Sequence, residues 1–220
     1  MHYFEFAEKD STLYEASSSL NAGLDEILEV RKDVSDTGTS VDVSRILIRF
    51  DLTYISQSVS SGLITNPKYY LNLFDAKPTE LATSQSLYAY PVSQSWTMGD
   101  GRSYDNPITT EGCSWTYRFG ALDGELWSSV SASGATWFSG SGFEASHSFN
   151  HKSVDMRMDV TNIVNKWFSN NIPNNGFMVK RSGSIGNDNV NLDEGSSTRL
   201  GSFKFFSRDT HTIYTPRLEA

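Results

Sequence analysis

The 220-residue sequence contains one cysteine, Cys113, and it has neither a long apolar run nor a cluster of basic residues. A single cysteine cannot form an intrachain disulfide, which excludes the disulfide framework of small secreted domains. The apolar runs are too short to cross a bilayer, and the first residues, MHYFEFAEKD, show no basic segment followed by an apolar one. We therefore expect no signal peptide and no membrane partner.

The charge of the chain argues against a nucleic-acid partner. The formal net charge is -8, and the basic residues occur singly or in pairs such as Arg31/Lys32 and Lys180/Arg181. Proteins that bind a phosphate backbone need clustered Lys and Arg side chains. The acidic balance mainly indicates solubility.

Short alternating or aromatic-rich segments recur between clusters of Gly, Ser, Asn and Asp, which is the spacing of an antiparallel sandwich or barrel. In the segment 44–52 the apolar residues share one parity, the charged residues share the other, and Leu47 interrupts the polar set. The segment 69–74 is apolar except at Asn72, which predicts a central position in a sheet. The predicted strands cover residues 4–6, 11–15, 27–32, 44–52, 68–76, 86–91, 143–149, 154–159, 177–180, 201–207 and 217–219.

One segment, DVTNIVNKWF at 159–168, has the helical period. Its apolar residues recur at i, i+3, i+4 and i+7, namely Val160, Ile163, Val164 and Trp167. Asp159 or Thr161 can accept hydrogen bonds from the first free backbone N–H groups. We predict one short helix near 160–168, with Trp167 closing an end of the sandwich.

The region 93–142 carries four of the five tryptophans: Trp96, Trp115, Trp127 and Trp137. Long loops of this kind are uncommon unless they are functional or packed on themselves. Exposed indole rings could stack on sugar rings, whereas buried rings would anchor the loops to the sandwich. The four tryptophans are therefore candidate binding residues, with packing as the alternative role.

The segment 186–195 offers the best candidate metal site. Asn and Asp residues alternate there and could supply oxygen ligands to calcium, with Asp188, Asn189, Asn191 and Asp193 as the candidate ligands. The segment lacks the acidic twelfth position of an EF-hand loop, and a solvated polar loop explains the same composition. Calcium is the one cofactor that the sequence leaves open; we expect no other.

No catalytic constellation is apparent in the sequence. The acidic pairs Asp25/Glu26 and Asp193/Glu194 are adjacent, so on a strand their side chains point to opposite faces. The four histidines are scattered, and Cys113 between glycine and serine is typical of a small buried residue. We expect a protein that is not an enzyme.

Nine short motifs occur in one order along nearly the whole chain. They are KDSTLY (9–14), NAG (21–23), RILIRFDL (45–52), YLNLF (70–74), SWTMGDG (95–101), CSWTYR (113–118), DVTNIVNKW (159–167), NGFMVK (175–180) and TPRL (215–218). Their collinear order resembles the DNRLRE domains, a family of β-sandwiches related to carbohydrate-binding modules and also found in tailed-phage virion proteins. The resemblance implies an all-β, jelly-roll-like antiparallel β-sandwich with one short helix, forming a single domain over 1–220 with long Trp/Gly-rich loops at about 93–142.

The resemblance also suggests a role for the charged parity of the segment 44–52. Arg45, Arg49 and Asp51 would form a polar row on the outer face of a central strand, where Arg49 could pair with Asp51 or across strands. Such a row is either ordinary surface pairing or a binding surface, so Arg45 and Arg49 join the candidate binding residues. Trp96 and Trp115 occupy regular positions of the family pattern, which favours packing for these two.

Two functions remain at this point. The first is a structural protein of a tailed-bacteriophage virion, in the neck, tail or fibre attachment, that docks with other virion proteins and with copies of itself. Such a protein assembles in the host cytoplasm and needs neither a signal peptide nor disulfides. The alternative is a carbohydrate-binding module that recognises a polysaccharide.

Overall fold

The regular structure is almost entirely β. The computed structural model describes residues 2–36, 38, 40–81, 83–128, 134–152, 154–183 and 193–220. Within these ranges the elements are β1 (Phe4–Tyr14), β2 (Ile27–Val34), β3 (Val41–Phe50), α1 (Thr53–Ser60), β4 (Tyr70–Leu73), β5 (Gln85–Pro91), β6 (Ala145–Phe149), β7 (Met156–Asp159), α2 (Thr161–Phe168), β8 (Phe177–Lys180), a 3-10 turn (Asp193–Gly195), β9 (Gly201–Phe206) and β10 (Arg217–Glu219).

Strand β1 takes part in two sheets. Its first residues, Phe4 to Phe6, pair with β10, and β4 and β7 follow in order; we name β1(4–6)-β10-β4-β7 the open sheet. From Ala7 onward β1 pairs with β3, followed by β8, β5 and β6; we name β1(7–14)-β3-β8-β5-β6 the covered sheet. Strand β2 pairs with the start of β3 and with β9. All these pairings are antiparallel, so the predicted all-β antiparallel fold is confirmed.

The main core is built from alternate residues of both sheets and of the β2–β9 pair. Ile46 and Ile48 of β3 are fully buried in the same cluster as Leu71 and Met158 of the open sheet and Phe203 of β9. Each buried side chain of this size stabilises the fold by about 1.5–3 kcal/mol relative to an exposed one. Strand β4 lies between β10 and β7, which confirms the central position predicted for this segment.

The predicted helix near 160–168 is confirmed as α2, and the expectation of a single helix is wrong. The N–H of Thr161 donates to Asp159 Oδ1 at 3.0 Å, and Trp167 packs on Phe177 with 4.6 Å between ring centres. The additional helix, α1, begins after Asp51. Within α1 only Ile55 is buried, so its apolar period is too weak to be seen in the sequence.

A second core covers the outer face of the covered sheet. We name residues 92–128 and 134–137 the tryptophan layer, because they supply Trp96, Trp115 and Trp127 to this core. The covered sheet supplies its outward-pointing apolar residues, among them Leu47 of β3. Leu47 therefore does not interrupt a solvent-facing row: this face of β3 is buried from Val43 to Leu47.

The side-chain amide of Asn21, which is fully buried, connects the tryptophan layer to the segment between β1 and β2. Its Nδ2 donates to the carbonyls of Met98 and Cys113 at 2.7 and 2.8 Å. Its Oδ1 accepts the N–H groups of Gly101 and Gly23 at 2.8 and 3.2 Å. All four hydrogen-bonding positions of the amide are thus used.

Two glycines allow this close approach. A Cβ on Gly99 would lie 2.4 Å from Asn21 Oδ1, and a Cβ on Gly112 would lie 2.6 Å from Asn21 Nδ2. Both glycines also have positive φ, 81° and 101°, which other residues rarely adopt. The NAG motif (21–23), the end of the SWTMGDG motif (95–101) and Gly112, just before the CSWTYR motif (113–118), therefore meet at one point.

We expect Asn21→Ala to lower the free energy of unfolding by roughly 3 kcal/mol or more, because each buried polar group left without a partner costs about 1–3 kcal/mol. Urea unfolding followed by circular dichroism measures the change. Asn162→Ala, an exposed position on α2, is the control and should change the unfolding free energy by less than about 0.5 kcal/mol. Equal effects of the two substitutions would contradict the anchoring role of Asn21.

Candidate functional site

Three of the four candidate tryptophans lie inside the protein. Trp96, Trp127 and Trp115 are only 2, 3 and 4% exposed. The indole N–H of Trp96 donates to the carbonyl of Asn175 at 2.8 Å, and that of Trp127 donates to the carbonyl of Ser114 at 3.0 Å. These rings anchor the tryptophan layer, and their faces are not accessible to a sugar. Cys113 is fully buried beside them, as predicted.

Trp137 is half-buried and faces cationic side chains. Its ring centre lies 6.1 Å from that of Tyr90. The Arg45 guanidinium and the Lys180 Nζ lie 5.3 and 5.2 Å from its ring centre, distances at which a cation is attracted to an indole face. Trp137 therefore closes over a pair of cations and is not an open platform.

The prediction of Arg45 in a surface row is wrong, because the tryptophan layer covers this side of β3. Arg45 is 1% exposed. Its Nε and one terminal nitrogen donate to the two carboxylate oxygens of Glu194 at 3.1 and 2.6 Å. Its other terminal nitrogen donates to the carbonyl of Gly134 at 2.7 Å, and its guanidinium lies 4.7 Å from the centre of Trp115.

Lys180 completes a group that we name the buried ion cluster: Arg45, Lys180 and Glu194. Lys180 Nζ lies 3.3 Å from Glu194 Oε2 and donates to the carbonyls of Arg181 and Gly183. Burial lowers the pKa of Lys180 to about 8, although the Glu194 carboxylate acts in the opposite direction. In the sequence Glu194 is only an acid beside Asp193, and no periodic signal connects it with a strand 149 residues earlier.

Arg49 remains near the surface and pairs across strands, one of its two predicted alternatives. It donates to Glu8 Oε2 at 2.6 Å and to the carbonyl of Asn174 at 3.0 Å. Asp51 instead accepts the N–H and the hydroxyl of Thr53, at 3.0 and 2.6 Å. These two bonds lower the pKa of Asp51 and fix the start of α1.

The calcium prediction falls mostly outside the described residues, since Asp188, Asn189 and Asn191 lie there. Asp193 is described: it begins the 3-10 turn, and its N–H donates to Ser182 Oγ at 3.0 Å. In the described part of the chain no group of three or more His, Cys, Asp or Glu side chains is arranged to hold a metal. Calcium binding stays a prediction.

The outer face of the open sheet is not covered by another layer of the described chain. Cross-strand neighbours share this face in the order Phe6–Arg217–Asn72–Arg157 and Phe4–Glu219–Tyr70–Asp159. Phe4 and Phe6 are 43 and 59% exposed. We name this surface, together with Phe74 and Tyr214 at its end, the open sheet face.

Arginines and aromatic rings are interleaved on the open sheet face. The Arg217 guanidinium lies 4.7 Å from the centre of Phe4 and 4.8 Å from the centre of Phe74. Arg157 lies 3.4 Å from the centre of Tyr70 and binds Glu219 through two nitrogens, at 3.0 and 3.1 Å. These contacts hold the side chains in fixed positions while leaving ring surface exposed.

A polar cleft of about 760 Å³ is lined by residues of β2, of the segment between β1 and β2, and of the segments at 76–77 and 103–104. Arg31 occupies it and donates to both oxygens of Glu29, at 3.3 and 2.9 Å, and to Asp42 Oδ2 at 2.9 Å. Asp25 also lines the cleft, and burial raises the pKa of its carboxyl although the N–H of Ser103 opposes this. Tyr104, 75% exposed, provides an open ring among the lining residues.

The cleft was not predicted from the sequence, because its residues come from distant segments. Fixed donors and acceptors beside an exposed ring can bind a ligand that carries many hydroxyl groups. The adjacent acids Asp25 and Glu26 both line the cleft. In the sequence these two residues are only an adjacent acidic pair, which carries no signal for a cleft.

Comparison of the chain with protein-family models and with curated proteins finds no match. The resemblance to DNRLRE domains therefore rests on the motifs given above. Neither α1 nor α2, at eight residues each, approaches the length of a membrane-spanning helix, and no other described helix does so.

We expect Glu194→Gln to destabilise the fold by about 3–5 kcal/mol, because it leaves two buried cations without a counter-charge. The control is Glu125→Gln, which removes a 2.7 Å ion pair with Arg118 at a site where the glutamate is half exposed. Exposed pairs contribute only about 0–1 kcal/mol. Chemical unfolding of both variants measures the difference, and similar losses would contradict a structural role for the buried ion cluster.

Proposed function

We propose that this chain is a non-catalytic structural protein of a tailed-bacteriophage virion, acting in the neck, tail or fibre attachment by protein–protein docking. The proposal includes assembly in the host cytoplasm with other virion proteins and with further copies of the chain. The motif order supports the virion setting. The open sheet face is the structural observation that carries the docking role.

The composition of the open sheet face suits a protein partner. Aromatic residues and arginine are enriched at protein–protein interfaces and dominate their binding energy. Here Phe4, Phe6 and Tyr214 are 43, 59 and 49% exposed, and Ile213 beside them is 83% exposed. Apolar side chains exposed together in this way commonly mark an interaction site.

The face is also organised before any partner binds. The bidentate contact of Arg157 with Glu219 and the placement of Arg217 between Phe4 and Phe74 fix the side chains in the free protein. Side chains that are already ordered lose less conformational entropy on association. The outer face of the covered sheet offers no such surface, since the tryptophan layer occupies it.

Purified particles of the phage that carries this gene should contain the chain, detected by mass spectrometry. Tyr214→Asp, introduced into the phage genome, should reduce the amount bound to particles more than tenfold, since loss of an interface hot spot costs roughly 2 kcal/mol or more. Leu122→Asp is the control: Leu122 is 85% exposed but lies in the tryptophan layer. Absence of the unmodified chain from the particles would overturn the virion role.

The alternative function, a carbohydrate-binding module, is favoured by a different observation: the cleft around Arg31. Its carboxylates and guanidinium can bind sugar hydroxyls, while the exposed ring of Tyr104 can stack on a pyranose. The buried Trp96, Trp115 and Trp127 have no part in this site.

On this alternative the chain binds at least one soluble polysaccharide, and Tyr104→Ala weakens binding about tenfold, equivalent to about 1.4 kcal/mol. Calorimetry over a panel of neutral and acidic polysaccharides tests both statements. Tyr54→Ala serves as the matched control, because Tyr54 is 72% exposed on α1 and does not line the cleft. Lack of binding across the panel would set this function aside.

A further inference from the structure

The first residues of β1 form an edge of the open sheet. Residues 4–6 pair with β10 on one side, whereas the pairing with β3 on the other side starts only at Ala7. The N–H groups of Tyr3 and Ala7 donate to the carbonyls of Ala220 and Pro216, so the odd-numbered residues direct their peptide groups toward β10. The peptide groups of Phe4 therefore point the opposite way, where the described chain supplies no pairing strand, and Phe6 borders the point where Phe50 of β3 lies opposite Ala7.

This edge has few of the features that usually prevent strand addition. Edge strands are commonly protected by proline, lysine, a bulge or an inward-pointing charge, and of these the segment 2–6 has only the partly buried Glu5. The segment 2–6, His-Tyr-Phe-Glu-Phe, contains neither proline nor lysine. The irregularity in β1 comes later, between Ala7 and Lys9, where pairing with β3 has begun.

The segment is self-complementary about Phe4. If two copies pair antiparallel with Phe4 opposite Phe4, then Phe6 lies opposite His2 and Glu5 lies opposite Tyr3. Aromatic rings then meet on the exposed face, and on the other face each carboxylate lies opposite a tyrosine hydroxyl. The register centred on Glu5 would instead set two carboxylates opposite each other, which is unfavourable.

We propose that a second copy of this chain binds at this edge, with residues 2–6 of the two copies paired antiparallel about Phe4. The pairing joins two open sheets into one continuous sheet and places their open sheet faces side by side. The inference deepens the proposed docking role by naming one partner, and it rests on that role. It needs no phage component, however, so the two can fail separately.

The pairing predicts a specific crosslink. Directly opposite residues in a hydrogen-bonded antiparallel pair have Cα atoms about 5.5 Å apart, within the disulfide range of roughly 4.4–6.8 Å. Phe4→Cys in the full chain should therefore form a disulfide-linked dimer on mild oxidation. The native Cys113 does not interfere, because it is fully buried and burial raises its thiol pKa to about 12.

Phe6→Cys is the matched control, since Phe6 is on the same strand and face and is more exposed than Phe4. In the proposed register two thiols at position 6 are four residues apart along the strand, about 14 Å, so they cannot form a disulfide. A covalent dimer from Phe4→Cys and none from Phe6→Cys, on a non-reducing gel, is the expected result. Equal crosslinking of the two, crosslinking at position 6 alone, or none at either position would overturn the proposal.

A second measurement does not depend on cysteine chemistry. Phe4→Pro removes the N–H that points to the open edge, together with the Phe4 ring that contacts Arg217, at a position where an edge strand tolerates proline. In sedimentation experiments the unmodified chain should dimerise. Two chains of charge -8 repel each other, and added salt screens this repulsion, so the dimer fraction should rise with salt concentration. Phe4→Pro should stay monomeric with an unchanged circular dichroism spectrum, and a dimer that persists would contradict the pairing.

Failure of this pairing and failure of the virion role give different results. Loss of the crosslink in a chain that still enters purified particles overturns the self-pairing alone. A crosslinked dimer from a chain that is absent from particles overturns the virion role alone.

Discussion

Strand β3 is packed on both of its faces, and the rest of the architecture depends on this. Every residue from Val43 to Ile48 is buried. One face contributes Ile46 and Ile48 to the core between the sheets, and the other contributes Leu47 to the core beneath the tryptophan layer. Because water is excluded from the second face, Arg45 requires an internal counter-ion, and Glu194 supplies it. The segment that carries Glu194 is thereby fixed to the middle of the covered sheet.

The double burial of β3 also makes the two outer surfaces of the protein unequal. Four tryptophans and the hydrogen bonds of Asn21 hold the tryptophan layer on the covered sheet. The outer face of the open sheet keeps its phenylalanines, tyrosines and arginines exposed, with the arginines held by stacking and by Glu219. A protein that docks through a sheet needs this inequality, since only one face should attract a partner.

The sequence predicted the strands and α2 well. The apolar residues that face the main core recur at every second position in a strand and about every 3.6 positions in a helix, so each element leaves its own pattern in the sequence. The two predicted strands at 4–6 and 11–15 proved to be parts of β1, which continues through its irregularity. The burial of Arg45 was not predicted, because alternation shows which face is apolar but not what covers the other face. Leu47 was the one available signal, since an apolar residue in a charged row indicates a second apolar contact. The cleft around Arg31 and the pairing of Arg45 with Glu194 form between segments that are far apart in the sequence. The spacing of apolar and polar residues within one segment carries no information about such contacts.

The continuity of β1 through both sheets has a mechanical consequence. Its first residues lie at the open edge, and its later residues pair with β3 from Ala7 to Tyr14. Antiparallel hydrogen bonds lie perpendicular to the strand, so tension applied along β1 is shared by all of them in shear and does not break them one at a time. The partner proposed for this edge would therefore transmit a pulling force directly to β3, a strand that is packed on both faces.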